Sequence, residues 1–225
     1  MGFFNNLFDI DSRDNYAVTG LNKELNSLYI YNYFIKNKKN NLVITNSLYE
    51  ANDVYNRLLN YTNKVLFFPM DDFITSEVTD ISPEFVIDRL ITLNKLLGSG
   101  KYIVVTNLMG ILRYLPNTKL YKNKIIDINK NMDIDRDDFI NKLFDLGYEK
   151  KPVVSRTGEM AIRGYVIDIF PIEFDNPIRI EFWGDTIDSI KYFDLDDQIS
   201  NTSVDSVKIY PYTEFLIDGK IGDNI

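Results

Sequence analysis

Residues 158–197 read GEMAIRGYVIDIFPIEFDNPIRIEFWGDTIDSIKYFDLDD, and this stretch constrains the fold more than any other. Apolar and polar residues alternate through three short runs divided by turn chemistry at Asp175-Asn176-Pro177 and Gly184-Asp185, which predicts an antiparallel meander. In the middle run a period of two places Ile178, Ile180 and Phe182 on one face and Arg179, Glu181 and Trp183 on the other. Two uses fit that second face. Arg179 and Glu181 can be solvated while Trp183 covers a sheet edge, or the three can form a protein-binding patch, since Trp and Arg are the residue types that most often anchor interfaces.

The chain has 225 residues, 45% of them hydrophobic, enough for one large or two modest cores. It has no cysteine and no histidine, which removes disulfides, thiolate chemistry and the commonest general base and zinc ligand. Carboxylates could still hold magnesium, but with 33 of them no pair stands out, and no cofactor is expected. A net charge of −8 argues against a phosphate-backbone binder. The acidity is uneven: residues 1–118 carry 11 Lys/Arg against 12 Asp/Glu, and residues 119–225 carry 14 against 21. Arg163 and Arg179 are thus scarce cations in an acidic half, suited to pairing with a partner or within the chain. No run reaches the roughly 20 apolar residues of a membrane span, and the opening residues lack a signal-peptide pattern, so a cytoplasmic protein without a membrane partner is expected.

Along the chain, LNKELNSLYIYNYFIKNKK predicts a helix on Leu21, Leu25, Leu28, Tyr29 and Asn32. Asn41–Thr45 reads as a short buried strand, Ser47 caps a helix through Leu48, Ala51, Val54, Tyr55 and Leu58, and Lys64–Phe68 is the next strand. After a loop at Met70–Ile81, Ser82-Pro83-Glu84 starts a helix that Gly98-Ser99-Gly100 ends. Lys101–Thr106 is a third strand, with a short helix to Pro116. Alternating strands and helices imply an α/β domain with a parallel sheet over 1–118. Beyond it come a strand at Lys124–Ile128, a helix capped by Asp133 or Asp135 and stopped by Gly147, and the meander, which together predict a small α+β domain over 119–205. A strand at Val207–Pro211 is set apart as the start of a further segment, 206–225, whose end suggests a fragment of a longer protein.

In such an architecture a phosphate-binding loop belongs at Ala17–Glu24. The P-loop pattern needs two glycines, a lysine and a hydroxyl at fixed places, so that backbone N–H groups and the lysine hold phosphate and the hydroxyl holds magnesium. Here the eight positions read AVTGLNKE. Lys23 remains and Gly20 falls at a place the pattern leaves open, but Ala17 and Asn22 stand where glycines are required, and Glu24 replaces the hydroxyl with a group that repels phosphate. The loop reads as degenerate and is not expected to bind nucleotide.

The runs GEMAIRGYVIDIFP and IRIEFWGDTIDSIKYFD, with FFPMDDFITSEVTDISPEFVIDRLITLNKLL and YIVVTNLMGILRYLP before them, resemble the second domain of the repair protein UvrB and the N-terminal module of the bacterial transcription-repair coupling factor, Mfd. The degenerate loop, and a Met70–Pro83 stretch too short and acidic to be the tyrosine-rich DNA clamp of UvrB, favour the second family. That resemblance implies a UvrB domain 1a-like part at 1–118, a UvrA-binding domain 2-like part at 119–205, and the start of a domain 1b-like return at 206–225. It implies docking without catalysis, with UvrA recruited to RNA polymerase stalled at DNA damage in nucleotide excision repair. Translocation on DNA, and contact with RNA polymerase, would fall to other parts of an ATP-dependent parent, whose C-terminal domain would cover the UvrA surface until needed. Matched to the family pattern, Arg163, Arg179 and Trp183 would meet UvrA, with Glu181 beside them. Alanine at Arg179 or Trp183 is expected to remove capture while the fold persists. Two other readings are a segment of an active UvrB-like helicase that binds ATP, and a DNA-binding module.

Overall fold

The computed structural model describes residues 16–72 and 82–216, and the chain divides into two compact units, 1–114 and 115–225. In the first, a helix α1 (Lys23–Asn37) precedes strand β1 (Asn41–Thr45), helix α2 (Leu48–Leu59), strand β2 (Val65–Phe68), helix α3 (Pro83–Leu97), strand β3 (Ile103–Asn107) and a single turn α4 (Leu108–Ile111). The strands form a parallel sheet in the order β1-β3-β2. Residues alternate between its faces. Val43, Val65, Phe67, Ile103 and Val105 pack under α1 and α2, and Leu66, Phe68 and Val104 pack against Leu93 and Leu96 of α3.

Two expectations change here. The buried residues of α1 are Ser27, Leu28, Tyr31, Asn32 and Phe34, so Leu28 and Asn32 of the expected stripe are covered, while Leu25 is exposed and docking on α2 and the sheet brings in Tyr31 and Phe34. Leu42 and Ile44 of β1 are exposed, because the α3 residues that cover Leu66, Phe68 and Val104 on that face of the sheet do not extend over β1, so an apolar run did not mean burial on both faces. Of the loop expected at Met70–Ile81, residues 73–81 lie outside the described residues, as does the terminal stretch 217–225.

The second unit holds a helix missed in the sequence, α5 (Thr118–Lys124), then β4 (Ile126–Asn129), α6 (Arg136–Asp145) and β5 (Glu149–Lys150). Asp135 is the cap of α6, its carboxylate accepting the Asp138 N–H at 2.7 Å. β6 (Glu159–Arg163), β7 (Val166–Ile169), β8 (Ile178–Trp183), β9 (Thr186–Phe193) and β10 (Ser200–Ser203) follow, and β11 (Ser206–Ile209) closes the unit. The six-stranded sheet has the order β10-β9-β8-β7-β6-β5, antiparallel except at β5-β6. Its first predicted run is two strands, because Gly164-Tyr165 form a two-residue turn with Gly164 at φ +57°. β11 pairs with β4, and Val207 and Ile209 enter the same core as Phe139, Leu143, Ile178, Ile180 and Phe182. The described part of 206–225, expected as a separate segment, is therefore joined to the second unit by its pairing and its core.

A candidate protein-docking site on the outer face of the sheet

Strand alternation decides what the six-stranded sheet shows to solvent. Met160, Ile167, Ile169, Ile178, Ile180, Phe182, Ile187 and Ile190 point into the core. The opposite face carries the row Ala161, Asp168, Arg179 and Lys191, and beside it the row Arg163, Val166, Glu181 and Ser189, with Trp183 across from Thr186 beyond them. The predicted side for Arg179, Glu181 and Trp183 is the side they occupy. Arg163 joins them because Gly164 turns the chain instead of bulging the strand, so that Arg163 pairs in register with Val166. The register shift lies on β9, where Asp188 is the extra residue between the Glu181–Ser189 and Phe182–Ile187 pairs.

The two arginines meet on a residue that sequence reasoning passed over. Asp168 is 1% exposed, and both its oxygens accept from Arg179, Nε to Oδ1 at 2.7 Å and Nη2 to Oδ2 at 2.9 Å. Arg163 Nη2 stands 3.3 Å from the same Oδ2. Arg179 also donates from Nη1 to the Gln198 carbonyl at 3.2 Å and lies 4.7 Å over the Phe193 ring. Its guanidinium is therefore gripped from several sides, with the side chain only 17% exposed. The paired Asp168 carboxylate holds Arg179 further above the usual arginine range. Arg163, by contrast, is 48% exposed and bound at one nitrogen.

Glu181 is turned to its own sheet. Lys191 Nζ lies 2.8 Å from Oε2 and the Ser189 hydroxyl donates to the same oxygen, and the two hold the carboxyl below the usual glutamate range. Trp183 is 83% exposed at the end of β8, so an indole that could be sheltered stands in water. It is four residues from Arg179 along one strand, about 13 Å at 3.3 Å per residue.

This geometry alters the expectation for Arg179. Replacing it with alanine would leave the buried Asp168 with Arg163 alone, at a single 3.3 Å contact, so the fold is expected to lose stability. A buried Asp two residues before Phe170 on a strand opposite the IRI run was the available signal, but alternation alone cannot show that a carboxylate is covered.

In the first unit, residues 16–22 form neither strand nor helix, and Asn22 caps α1 by accepting the Leu25 N–H at 2.9 Å. Lys23 Nζ lies 3.1 Å from Asp53 on α2, and Glu24 pairs with Arg57, which also donates to Asp53 at 3.0 Å. At the end of the parallel sheet, both oxygens of Asp72 accept the Leu48 N–H, at 2.8 and 3.0 Å, and Asn107 Nδ2 donates to Asp72 at 2.8 Å. The first turn of α2 thus holds a carboxylate of its own chain.

The face just described lies within residues 126–215, which match the family model of the UvrB interaction domain. Over nearly its whole length the chain is also similar to transcription-repair-coupling factors. It is 34% identical over 95% of its residues to that of Staphylococcus haemolyticus, and 32% identical over 97% to those of Staphylococcus epidermidis and Staphylococcus aureus. Most of the second unit thus matches the UvrB interaction domain, and the chain as a whole is similar to one part of the transcription-repair-coupling factors. It spans only 18–19% of the length of these relatives. Among the described residues no helix is long and apolar enough to cross a membrane.

Proposed function

We propose that this chain is a non-catalytic docking module of transcription-coupled nucleotide excision repair, and that the outer face of its six-stranded sheet recruits UvrA to RNA polymerase stalled at DNA damage. The observation that carries the reading is Trp183, an exposed indole at the end of β8 on the same face as Arg163 and Arg179, in a domain that matches the UvrB interaction family. An indole filling an apolar pocket and an arginine meeting a carboxylate are the contacts that dominate interfaces of this kind. In a longer parent protein, a C-terminal domain would cover this face until it is needed, and RNA polymerase and DNA would be engaged elsewhere.

The runner-up, a UvrB-like segment that binds ATP and damaged DNA, has less support. Lys23 and Glu24 are engaged with α2, and the AVTGLNKE loop lacks the glycines a phosphate cradle needs. Saturable micromolar binding of a labelled ATP analogue would favour it.

The direct test is capture of purified UvrA by the 225-residue chain. Wild type should bind, and Trp183→Ala, folded by circular dichroism, should lose about 30-fold or more in affinity, the ratio that about 2 kcal/mol represents. Wild type that fails to capture UvrA, or a variant that matches it, would refute the assignment.

A further inference from the structure

Asp168 is an expensive residue to keep in a sheet. A carboxylate 1% exposed on a strand must be desolvated, and apolar residues of similar size in place of a buried ion pair are often neutral or stabilising. What the aspartate does, which an apolar residue could not, is fix a guanidinium in one orientation. Arg179 Nε and Nη2 are aligned on its two oxygens, and Nη1 is turned to the Gln198 carbonyl. Little of that fork remains for a partner. Arg163 shares Oδ2 from 3.3 Å and keeps most of its donors outward.

We propose that Asp168 is a positioning residue of the docking face: it locks Arg179 as a fixed positive wall and steers Arg163 so that its free fork takes a carboxylate of the partner, next to an apolar pocket for Trp183. Two guanidiniums against one carboxylate leave the group with a net positive charge, and an incoming carboxylate neutralises it. Arg179 then acts through its charge and its support of Arg163, and Arg163 makes the bidentate contact. This division of labour rests on the reading of the face as a UvrA-docking surface.

Binding kinetics of the full chain with purified UvrA separate positioning from simple charge. Asp168→Asn preserves side-chain size and makes the face more positive. If Asp168 only tempered the arginines, this variant would associate faster and bind an acidic partner more tightly, which would overturn the proposal. If Asp168 positions them, the variant should bind about tenfold more weakly, through faster dissociation, despite the added charge. Unchanged affinity in a folded Asp168→Asn would likewise overturn it.

Should Asp168→Asn not fold, Arg163→Lys decides. It keeps the charge at an exposed site and loses the fork, and is expected to weaken binding about tenfold, again in the dissociation rate. Wild-type kinetics for Arg163→Lys would refute the bidentate role. If Trp183→Ala weakens binding while Asp168→Asn and Arg163→Lys match wild type, the docking face stands and only this inference falls. If wild type does not bind UvrA, both fall.

Discussion

The charged clusters of the two units both join arginine to aspartate, yet they do opposite things. Lys23, Glu24, Asp53 and Arg57 form a chain of ion pairs between α1 and α2 on the surface of the first unit, where every member keeps some contact with water. Asp168, Arg179 and Arg163 form theirs around a carboxylate that water does not reach. An exposed pair gains little because water competes for both partners, and either side chain can be removed without leaving a stranded charge. A buried pair cannot lose one member so cheaply, because the other has been desolvated already. The comparison separates a decorative use of charge from one on which the sheet depends.

The sharpest way to break this comparison is Arg179→Ala. It should destabilise the second unit by up to about 3–5 kcal/mol, the usual cost of taking one partner from a buried pair, less whatever Arg163 still contributes at Asp168, as read from the midpoint of urea unfolding. A shift no larger than that of an ordinary surface substitution would show that Asp168 is solvated after all.

A smaller loss is expected from Gly158→Ala, where the backbone is at φ +90° and a Cβ would meet the Tyr212 ring at 2.1 Å. The strained backbone conformation alone costs about 1–3 kcal/mol. The clash adds to it unless Tyr212 moves, and thermal unfolding measures the sum.

The third prediction concerns pH. Burial alone would raise the Glu159 carboxyl, but the Ser155 and Arg156 N–H groups, the Ser155 hydroxyl and the Arg156 charge outweigh it, and the group is held below its ordinary 4.5. A lowered folded pKa contributes stability that is present above 4.5 and is lost as pH falls below it, through the folded value. Glu159→Gln should therefore lower stability at neutral pH and flatten its dependence on pH below 4.5, as followed by urea midpoints across that range. An undiminished acid limb in the variant would remove Glu159 as its source.

The smallest effect belongs to the other side of the comparison. Lys23→Ala should leave the thermal midpoint of the first unit unchanged within measurement error, because Lys23 is itself exposed and the half-buried Asp53 retains Arg57. A clear drop would mean that the α1–α2 cluster is more than surface screening.

Much of the fold was legible because its signals are local. Ser47 and Asp135 cap the helices they were expected to cap, and Pro83 opens α3 at its first turn. The alternation in IRIEFW is preserved residue by residue in the burial of β8. Where the reading failed, two or more elements were involved. Leu42 and Ile44 are as apolar as a buried strand requires, but α3 covers β2 and β3 and not β1, and which strands a helix covers is not written in a single strand. Val207 and Ile209 looked like the beginning of something else until their pairing with β4, nearly 80 positions earlier, put them in the core.

The candidate site divides along the same line. Period two was enough to put Arg179, Glu181 and Trp183 on one face, since the side a residue faces depends only on its neighbours in the chain. Whether each was free or engaged depended on partners from other strands: Lys191 for Glu181, Asp168 for both arginines, and for Trp183, among the described residues, none close enough to cover it. Sequence by itself determined the strands, the helix starts and the composition of the exposed face. Only tertiary structure decided which charge is covered, because desolvation is a property of everything packed around a group, and the β7 and β8 residues that cover this one meet only after the chain has folded.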